Sequence, residues 1–323
     1  MKYELTVAII GTGYMGKTYA KVLDTLVSKM IFCSTDEEAG RALAEQYSSG
    51  FYTDYLELFE KEKIDFAAIC LPTHLHCIAS LAAMERGISV LCEKPFAVTE
   101  EEAKEMIEAS EDKSVLFMIA HCLRFSKGYE YLRRCISDGR FGKLLSLNAY
   151  REHKSPMWSV GNWLNNVALS GGVVKDTHIH DTDRIIGWLG KPKSVYTTGN
   201  CVSCRTIYNY DTDISVSASA SWRDVQAFPA ESGYDALFEH ACIRERNYKV
   251  MVYTDDESFD PIEREKFSEF FSGKIYENEI NYFCHCLVNR QKPLLCPISE
   301  SLATIAVSCA ESRSMEKRTE ETI

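Results

Sequence analysis

Two hydrophobic periods alternate along the first third of the chain. Short β-rich runs are apolar at nearly every position. Between them lie patterns with apolar residues three or four positions apart, which predict helices. The predicted strands are 5–10, 30–34, 65–71, 88–92 and 114–120, and the predicted helices are 15–28, 74–86 and 99–111. Because strands that are apolar on both faces are typical of a covered parallel sheet, the alternation predicts a right-handed, doubly wound α/β domain.

The pattern changes after about residue 122, where strands begin to dominate. Strands are predicted at 143–152, 193–199, 206–210, 214–222, 235–243 and 248–254, and helices at 125–137, 178–189, 277–289 and 299–317. This mixture predicts an α+β domain with a large, mostly antiparallel open sheet. We therefore divide the chain into a first domain at 1–122 and a second domain at 123–323.

The clearest alternation lies at 214–222. One face carries Ser215, Ser217, Ser219 and Ser221, and the other carries Ile214, Val216, Ala218, Ala220 and Trp222. This pattern predicts a half-exposed antiparallel strand. Its serine face is small and uncharged, which suits close packing against a flat partner.

Composition narrows the class of protein. A length of 323 residues favours about two domains. The net charge of −11 disfavours nucleic acid and anionic membranes, because both bind clustered Lys and Arg. Thirteen cysteines, an odd number, do not suggest a disulfide framework, so we expect free thiols in a reducing cytoplasm. No apolar run approaches the ~20 residues that span a bilayer, and no targeting segment is visible, so we expect a cytoplasmic protein.

Candidate chemistry begins with a glycine-rich turn. The sequence GTGYMG fits the GxGxxG pattern, and it joins a predicted strand to a predicted helix, as a dinucleotide site requires. The candidate cofactor residues here are Gly11, Thr12, Gly13, Tyr14, Met15 and Gly16. The first glycine allows the tight turn, the second lets the backbone approach a pyrophosphate, and the third lets helix and sheet pack closely. We therefore expect NAD or NADP at the helix N-terminus.

The residues after the second strand usually choose between these cofactors. An acidic residue there binds the ribose hydroxyls of NAD. Ser34 and Thr35 stand at this place, and neither repels a 2′-phosphate, which slightly favours NADP. No arginine stands beside them, however. If the register shifts by two residues, Asp36 binds the ribose and NAD is favoured.

A second candidate segment, Leu71-Pro72-Thr73-His74-Leu75-His76, follows the strand at 65–71. Dinucleotide sites lie at such C-terminal strand ends. His74, His76 and Cys77 also allow a metal site, but no matching distant ligand set accompanies them. We therefore predict no metal, and we expect one of the histidines to cap the helix or to touch the cofactor.

The loop Glu93-Lys94-Pro95 follows the strand at 88–92. A lysine here would lie at the C-terminal edge of the sheet, near a bound nicotinamide. The ring of Pro95 fixes the backbone of the turn. By itself, a lysine in a loop is usually only a surface charge.

The third constellation lies in GGVVKDTHIHDTD at 171–183. Asp176 and His180 are four residues apart, so on a helix they share a face. A carboxylate in this place raises the basicity of an imidazole and fixes its tautomer. The alternatives are Asp176 as a helix N-cap with His180 merely packing, and a metal site at His178, His180 and Asp181.

Together these motifs resemble the Gfo/Idh/MocA oxidoreductases, the relatives of glucose–fructose oxidoreductase and inositol dehydrogenase. The resemblance rests on GTGYMG, on EKP at 93–95 and on GGVVKDTHIHDTDRIIGWLG at 171–190. The segment at 121–125, HCLRF, is similar to the one that joins the family's two domains. The resemblance covers nearly the whole chain in the correct order. It implies an N-terminal Rossmann domain that binds NAD(P) and a C-terminal domain for substrate binding and oligomerisation.

The resemblance also implies roles for single residues. Lys94 matches the family's catalytic lysine, and Asp176 and His180 match its acid–base pair. Positions that contact the cofactor are matched by Thr73, His76, Glu93 and Trp163, the last of them near the nicotinamide.

Three departures from the family's pattern bear on specificity. Ser34 stands where members that prefer NAD have Asp. Leu164 stands where a basic residue is frequent, and His178 replaces a frequent glycine. The first departure leaves the cofactor open between NAD and NADP, and the other two imply an altered substrate pocket.

The implied activity is hydride transfer between NAD(P) and a carbinol carbon of a sugar, polyol or inositol-like substrate. Two alternatives use the same fold. One is a regulator that senses a dinucleotide or sugar without turnover, and the other is a redox-assisted lyase or glycosidase that recycles its cofactor. The resemblance further implies a homodimer or homotetramer formed through the open sheet of the second domain.

Overall fold

The chain forms two compact units. The computed structural model describes residues 2–157, 159–225 and 227–323. The first unit contains Met1–His121, Trp158–Trp163 and Tyr276–Leu302, and the second contains Cys122–Met157, Leu164–Ile275 and Ala303–Ile323. The segment Tyr276–Leu302 was assigned to the second domain from the sequence, but its contacts place it in the first unit. Phe283 explains why, because its ring packs on that of Phe66 with centroids 5.0 Å apart.

The secondary structure contains both kinds of element in each unit. The strands are β1 Tyr3–Ile10, β2 Val27–Cys33, β3 Gly50–Tyr52, β4 Phe66–Ile69, β5 Ser89–Glu93, β6 Phe117–Ala120, β7 Leu144–His153, β8 Ser194–Asn200, β9 Ser203–Asn209, β10 Ser215–Trp222, β11 Glu231–Phe238, β12 Cys242–Arg246, β13 Lys249–Tyr253, β14 Ser258–Phe259 and β15 Glu321–Thr322. The helices are α1 Tyr14–Leu26, α2 Glu37–Gln46, α3 Tyr55–Lys61, α4 His76–Met84, α5 Glu100–Asp112, α6 Lys127–Asp138, α7 Val167–Ser170, α8 Ile179–Leu189, α9 Pro261–Arg264, α10 Ile275–Asn289 and α11 Ile298–Lys317.

The first sheet has six strands in the order β3-β2-β1-β4-β5-β6, and every neighbouring pair is parallel. This is the order of the Rossmann fold, so the prediction of a Rossmann domain is confirmed. The chain adds β2 and β3 on one side of β1 and then returns to add β4, β5 and β6 on the other side. This change of direction opens a crevice at the carboxyl ends of β1 and β4. The three-residue strand β3 was missed because it is too short to show a period.

The second sheet has nine strands in the order β14-β13-β12-β11-β7-β10-β9-β8-β15. Among the described pairs, only β7 and β10 are parallel. The large, mostly antiparallel sheet is therefore confirmed. For β10 the prediction was half wrong, because this strand is antiparallel to β9 and parallel to β7.

The two faces of β10 differ as the sequence predicted, except at Ser221. Ser215 is exposed, Ser217 and Ser219 are partly exposed, and Val216, Ala218 and Ala220 are buried, but Ser221 is buried as well. The buried side belongs to the hydrophobic core of the second unit. Ser215, Ser217 and Ser219 lie on the uncovered face of the sheet.

Helix α8 buries charged side chains on the covered side of the sheet. Asp183 accepts two bonds from Arg124, from Nε at 2.8 Å and from Nη2 at 2.7 Å, and both side chains are 1% exposed. Thr304 Oγ1 donates a further bond of 3.1 Å to the same carboxylate. Two more pairs join Arg184 to Glu245 at 2.9 Å and Arg151 to Asp181 at 3.1 Å. Paired guanidinium and carboxylate groups therefore fix this helix in the core.

All thirteen cysteines are free thiols, and eight of them are buried. This agrees with their predicted use as small apolar side chains. Within the described ranges, every helix is too short or too polar to cross a bilayer.

We expect Asp183→Asn to lower the free energy of unfolding by about 3–5 kcal/mol, because it leaves the buried charge of Arg124 unbalanced. Urea unfolding followed by circular dichroism measures the change. Glu37→Gln is the matched control, since Glu37 pairs with Arg41 on the surface, where such pairs contribute at most about 1 kcal/mol. Equal stabilities for the two variants would contradict the structural role of the buried pair.

Candidate active site

The glycine turn after β1 has the shape that a pyrophosphate needs. Gly11 has φ +99°, and a Cβ there would lie 2.5 Å from the carbonyl oxygen of Cys70. A Cβ on Gly16 would lie 1.9 Å from the carbonyl oxygen of Gly11. A Cβ on Gly13, by contrast, would meet nothing within 4 Å, so space remains open on its side. The turn therefore fits the cofactor that the sequence predicted.

This turn lies at the reversal point of the first sheet. The backbone N–H of Gly11 donates to Cys33 O at the end of β2, and that of Cys70 donates to Ile10 O at the end of β1. Helix α1 follows at once, with Gly13 as its N-cap and no acidic side chain in its first turn. The N–H groups of a helix N-terminus are a site at which an anion can bind. Thr12 is buried, Met15 is half-buried and Tyr14 is exposed.

Ser34 stands directly after β2. The last paired residue of β2 is Cys33, opposite Ile10 of β1, so Ser34 holds the place expected of the residue that selects the cofactor. Asp36 is the N-cap of α2, because its Oδ1 accepts a hydrogen bond from the backbone N–H of Ala39. The exposed Thr35 lies between them.

His76 joins two of the predicted loops. Its Nε2 lies 2.7 Å from Leu71 O, and its Nδ1 lies 2.8 Å from Pro95 O. Burial lowers the pKa of His76 to about 4, so the ring is neutral at pH 7 and donates to one of the two carbonyls. The histidine therefore ties the loop after β4 to the loop that carries Lys94.

The remaining candidates of the first unit lie around these loops. Pro72 precedes a short 3₁₀ turn that begins with the buried Thr73. Glu93 ends β5, and its Oε2 accepts a 3.3 Å bond from the N–H of Lys94. Trp163 is half-buried in a separate 3₁₀ segment, Val160–Asn165. Except for this tryptophan, the predicted residues of the first unit gather at the carboxyl ends of β1, β2, β4 and β5.

The acid–base candidates of the second unit lie where two kinds of helix meet. Val174–His178 is a π-helical turn that leads directly into α8. Such turns are rare and occur frequently at functional sites. Asp176 lies inside the π turn and Val173 is its N-cap, so the alternative of Asp176 as an N-cap is wrong. Asp176 and His180 are partly exposed, whereas His178 between them is buried.

His178 points into the interior of the second unit. Its Nε2 lies 3.0 Å from Thr206 Oγ1, 3.2 Å from Tyr208 OH and 3.4 Å from Glu311 Oε1. Burial alone would lower the pKa of His178, but the neighbouring Cys204 and Glu311 outweigh burial and raise it well above its ordinary value. We interpret His178 as part of a buried hydrogen-bonded cluster with Thr206, Tyr208 and Glu311. No group of three or more metal-ligating side chains occurs in the part of the chain that the structure describes.

Several residues that surround the π turn were missed from the sequence. His153 and Trp222 both contact the hydroxyl group of Thr177, although they lie 24 and 45 positions from it in the sequence. The available signal was the alternation of β10, which ends on Trp222 with its side chain on the buried face. The pairing of β10 with β7, which brings His153 beside it, was not visible.

Comparison with known proteins assigns the family. Residues 5–121 match the model of an oxidoreductase family with an NAD-binding Rossmann fold, and residues 129–228 match the GFO/IDH/MocA C-terminal domain. The chain belongs to the Gfo/Idh/MocA family. Both family domains occur in the order that the sequence motifs predicted.

Two relatives and one solved structure are similar to this chain. A 2,7-anhydro-N-acetylneuraminate hydratase of Mediterraneibacter gnavus is 30% identical over 61% of this chain and 52% of its own length. A 1,5-anhydro-D-fructose reductase of Ensifer adhaerens is 32% identical over 47% of this chain and 46% of its own. The match therefore spans about half the length of these curated relatives. A levoglucosan dehydrogenase solved with NADH and levoglucosan has the same fold, with a TM-score of 0.86, 18% identity and coverage of 99% and 100%.

Two glycine variants separate the fold of the turn from its use. We expect Gly13→Ala to keep the thermal stability of the protein, because its Cβ meets open space, but to weaken NAD(P)H binding at least about tenfold, since the pyrophosphate approaches there. Gly16→Ala must displace backbone, so it should lower the melting temperature itself. Thermal unfolding and NAD(P)H fluorescence titration measure both effects. Unchanged cofactor affinity in Gly13→Ala would contradict this placement.

Proposed function

We propose that the protein is an NAD(P)-dependent oxidoreductase that acts on a CH–OH group of a sugar or polyol. The observation that carries this proposal is the open glycine turn at the reversal point of a Rossmann sheet, in a chain of this family that also keeps Lys94, Asp176 and His180. The bound dinucleotide supplies hydride acceptance or donation. A sensor without turnover would not need the three proton-handling side chains.

Each of these side chains has a role in the proposal. His180 takes the proton of the substrate hydroxyl, and Asp176 favours the imidazolium that results. Lys94 donates a hydrogen bond to the same oxygen and stabilises the charge that develops on it. In the reducing direction, His180 supplies the proton. The half-buried positions of Lys94, Asp176 and His180 are compatible with contact to a substrate.

We narrow the substrate class to anhydro sugars and their close relatives. The support comes from the activities for which two relatives are named, a 2,7-anhydro-N-acetylneuraminate hydratase and a 1,5-anhydro-D-fructose reductase. The match covers about half the length of each relative. The structural neighbour that binds levoglucosan adds only the shared fold.

A second candidate function is the addition or removal of water, because the relative from Mediterraneibacter gnavus is named a hydratase. Adding or removing water requires no net oxidation. A dinucleotide in such an enzyme would therefore be recycled within each turnover. The two functions differ in whether NAD(P)H accumulates during turnover.

We also propose a homodimer or homotetramer that forms through the uncovered face of the nine-stranded sheet. Cross-strand pairing places Ile207 and Tyr196 on the same face as Ser217. Leu237 and Tyr253 lie on this face of the other strands. All four large side chains are more than a third exposed, which is typical of a face that binds a partner.

We expect Lys94→Ala and His180→Ala to lower kcat at least about 10²-fold while NAD(P)H still binds, because general acid–base assistance contributes about 10²–10⁴ in rate. Lys104→Ala and His240→Ala, at exposed positions, are matched controls. The assay follows NAD(P)H absorbance and product together over a panel of anhydro sugars, sugars and inositols. Equal amounts of NAD(P)H and product support the dehydrogenase, and product without NAD(P)H supports the recycling enzyme. Near-normal turnover in both variants would contradict the assignment of roles.

We expect Ser34→Asp to lower the ratio of kcat/KM with NADP to that with NAD at least about tenfold, because a carboxylate repels a 2′-phosphate and accepts from a ribose hydroxyl. Steady-state kinetics with both cofactors measures the ratio. Asp36→Asn should keep the cap of α2, because asparagine caps a helix about as well as aspartate, and should leave the ratio unchanged. If the ratio changes only in Asp36→Asn, the ribose contact lies at Asp36 and NAD is the cofactor.

A further inference from the structure

Three side chains from separate elements of the second unit converge on one hydroxyl group. Thr177, on the π-helical turn, is 1% exposed. Its Oγ1 lies 2.7 Å from Trp222 Nε1, 3.1 Å from His153 Nε2 and 3.2 Å from Asp176 Oδ2. Each of these distances is short enough for a hydrogen bond.

The donors and acceptors of this cluster can be counted. The indole N–H of Trp222 only donates, so it occupies one lone pair of Thr177 Oγ1. His153 Nδ1 lies 2.7 Å from Lys154 O, which only accepts, so in the neutral ring this nitrogen carries the proton. His153 Nε2 then presents a lone pair to Thr177. The single hydroxyl proton of Thr177 therefore has two acceptors, His153 Nε2 and Asp176 Oδ2.

We propose that Thr177 is a positioning residue for Asp176 and that His153 competes with Asp176 for its hydroxyl proton. When the proton goes to Asp176, the ionised carboxylate is favoured and its orientation is fixed. When it goes to His153, Asp176 loses this bond. Protonation of His153 removes the competing acceptor, because Nε2 then donates to Thr177. This inference rests on the proposed function of Asp176 as partner of His180.

The fold explains why these side chains meet. Because β7 and β10 run parallel in register, His153 and Trp222 are direct partners at the last position of both strands. Both side chains point to the covered face of the sheet, where the π turn packs against β10. Trp222 also belongs to the small hydrophobic cluster formed with Val173 and Val174. Thr177 is thereby kept from solvent, so its bonds do not exchange freely with water.

Other charged and titratable groups face this turn from every element that packs against it. They are Arg151 on β7, Cys204 on β9, Cys309 and Glu311 on α11, and Lys175, His178, His180 and Asp181 on the turn and α8. Arg151 pairs with Asp181, and His178 pairs with Glu311. The variants below leave these pairs in place, so their charges contribute equally to every measurement.

The proposal predicts shifts of opposite sign for two variants. Thr177→Val removes the donor to Asp176, so the acidic limb of the kcat/KM profile should move up by about 0.5–1 pH unit. His153→Phe removes the competing acceptor, so the limb should move down by a similar amount. The sign is the same whether Asp176 titrates alone or coupled to His180. A merely structural role would not move the limb in opposite directions.

The experiment measures kcat/KM against pH for the wild type, Thr177→Val, Thr177→Ser and His153→Phe. Thr177→Ser keeps the hydroxyl group, so the acidic limb of its kcat/KM profile should lie at the same pH as in the wild type. Thr212→Val and His240→Phe are matched changes at exposed loop positions and should leave it unmoved. NAD(P)H affinity should stay constant in all variants. Shifts of the same sign for Thr177→Val and His153→Phe, or no rescue by serine, overturn the proposal.

A second measurement does not depend on activity. Nitrogen-15 NMR of the full-length protein, labelled at histidine, reports which ring nitrogen carries the proton. We expect the Nδ1–H tautomer for the neutral ring of His153, with its signal assigned by its loss in His153→Phe or, if that variant does not fold, in His153→Leu. An Nε2–H tautomer overturns the inference. If the Nδ1–H tautomer is found but the wild type turns over none of the substrates, the proposed function fails and the hydrogen-bond arrangement stands.

Discussion

The parallel pairing of β7 with β10 is the constraint on which the proposed chemistry of the second unit depends. Parallel neighbours end at the same edge of a sheet, whereas antiparallel neighbours end at opposite edges. In this sheet the two shared ends carry His153 and Trp222, and both reach the π-helical turn beside them. With β10 reversed, the tryptophan would lie at the far edge, and the turn that carries Asp176 would lose one of its supports.

A second constraint is the charge inside α8. Bidentate arginine–carboxylate pairs tolerate little displacement, because the planar fork loses its two parallel bonds when either partner moves. The bidentate pair of Arg124 with Asp183 therefore holds the helix in one register, and the single 2.9 Å bond from Arg184 to Glu245 supports it. His180 lies on the same helix and receives its position from these pairs. Stability and the proposed catalytic geometry are therefore coupled in this helix.

Much of the fold and part of the candidate site could be predicted from the sequence, since those features are encoded locally. The glycines at 11–16 and the strand that precedes them identify the Rossmann unit from a few adjacent residues. The alternation of β10 likewise reveals which face is buried, but it contains no information on the direction of its neighbours. Thr177 was missed for a similar reason, because its partners come from distant strands. The buried pairing of Asp183 was not visible either, since its arginine partner lies 59 positions away.

The distribution of the thiols has a consequence for studying the motions of this protein. Burial raises the pKa of Cys33 to about 12 and that of Cys135 to about 11, so both thiols stay protonated and inert while they are enclosed. One lies in the first unit and the other in the second. A reagent that reacts only with thiolates can reach either one only when its own unit opens. Labelling that is followed separately at Cys33 and at Cys135 thus reports local unfolding in each unit, while exposed thiols such as Cys201 react in the native state.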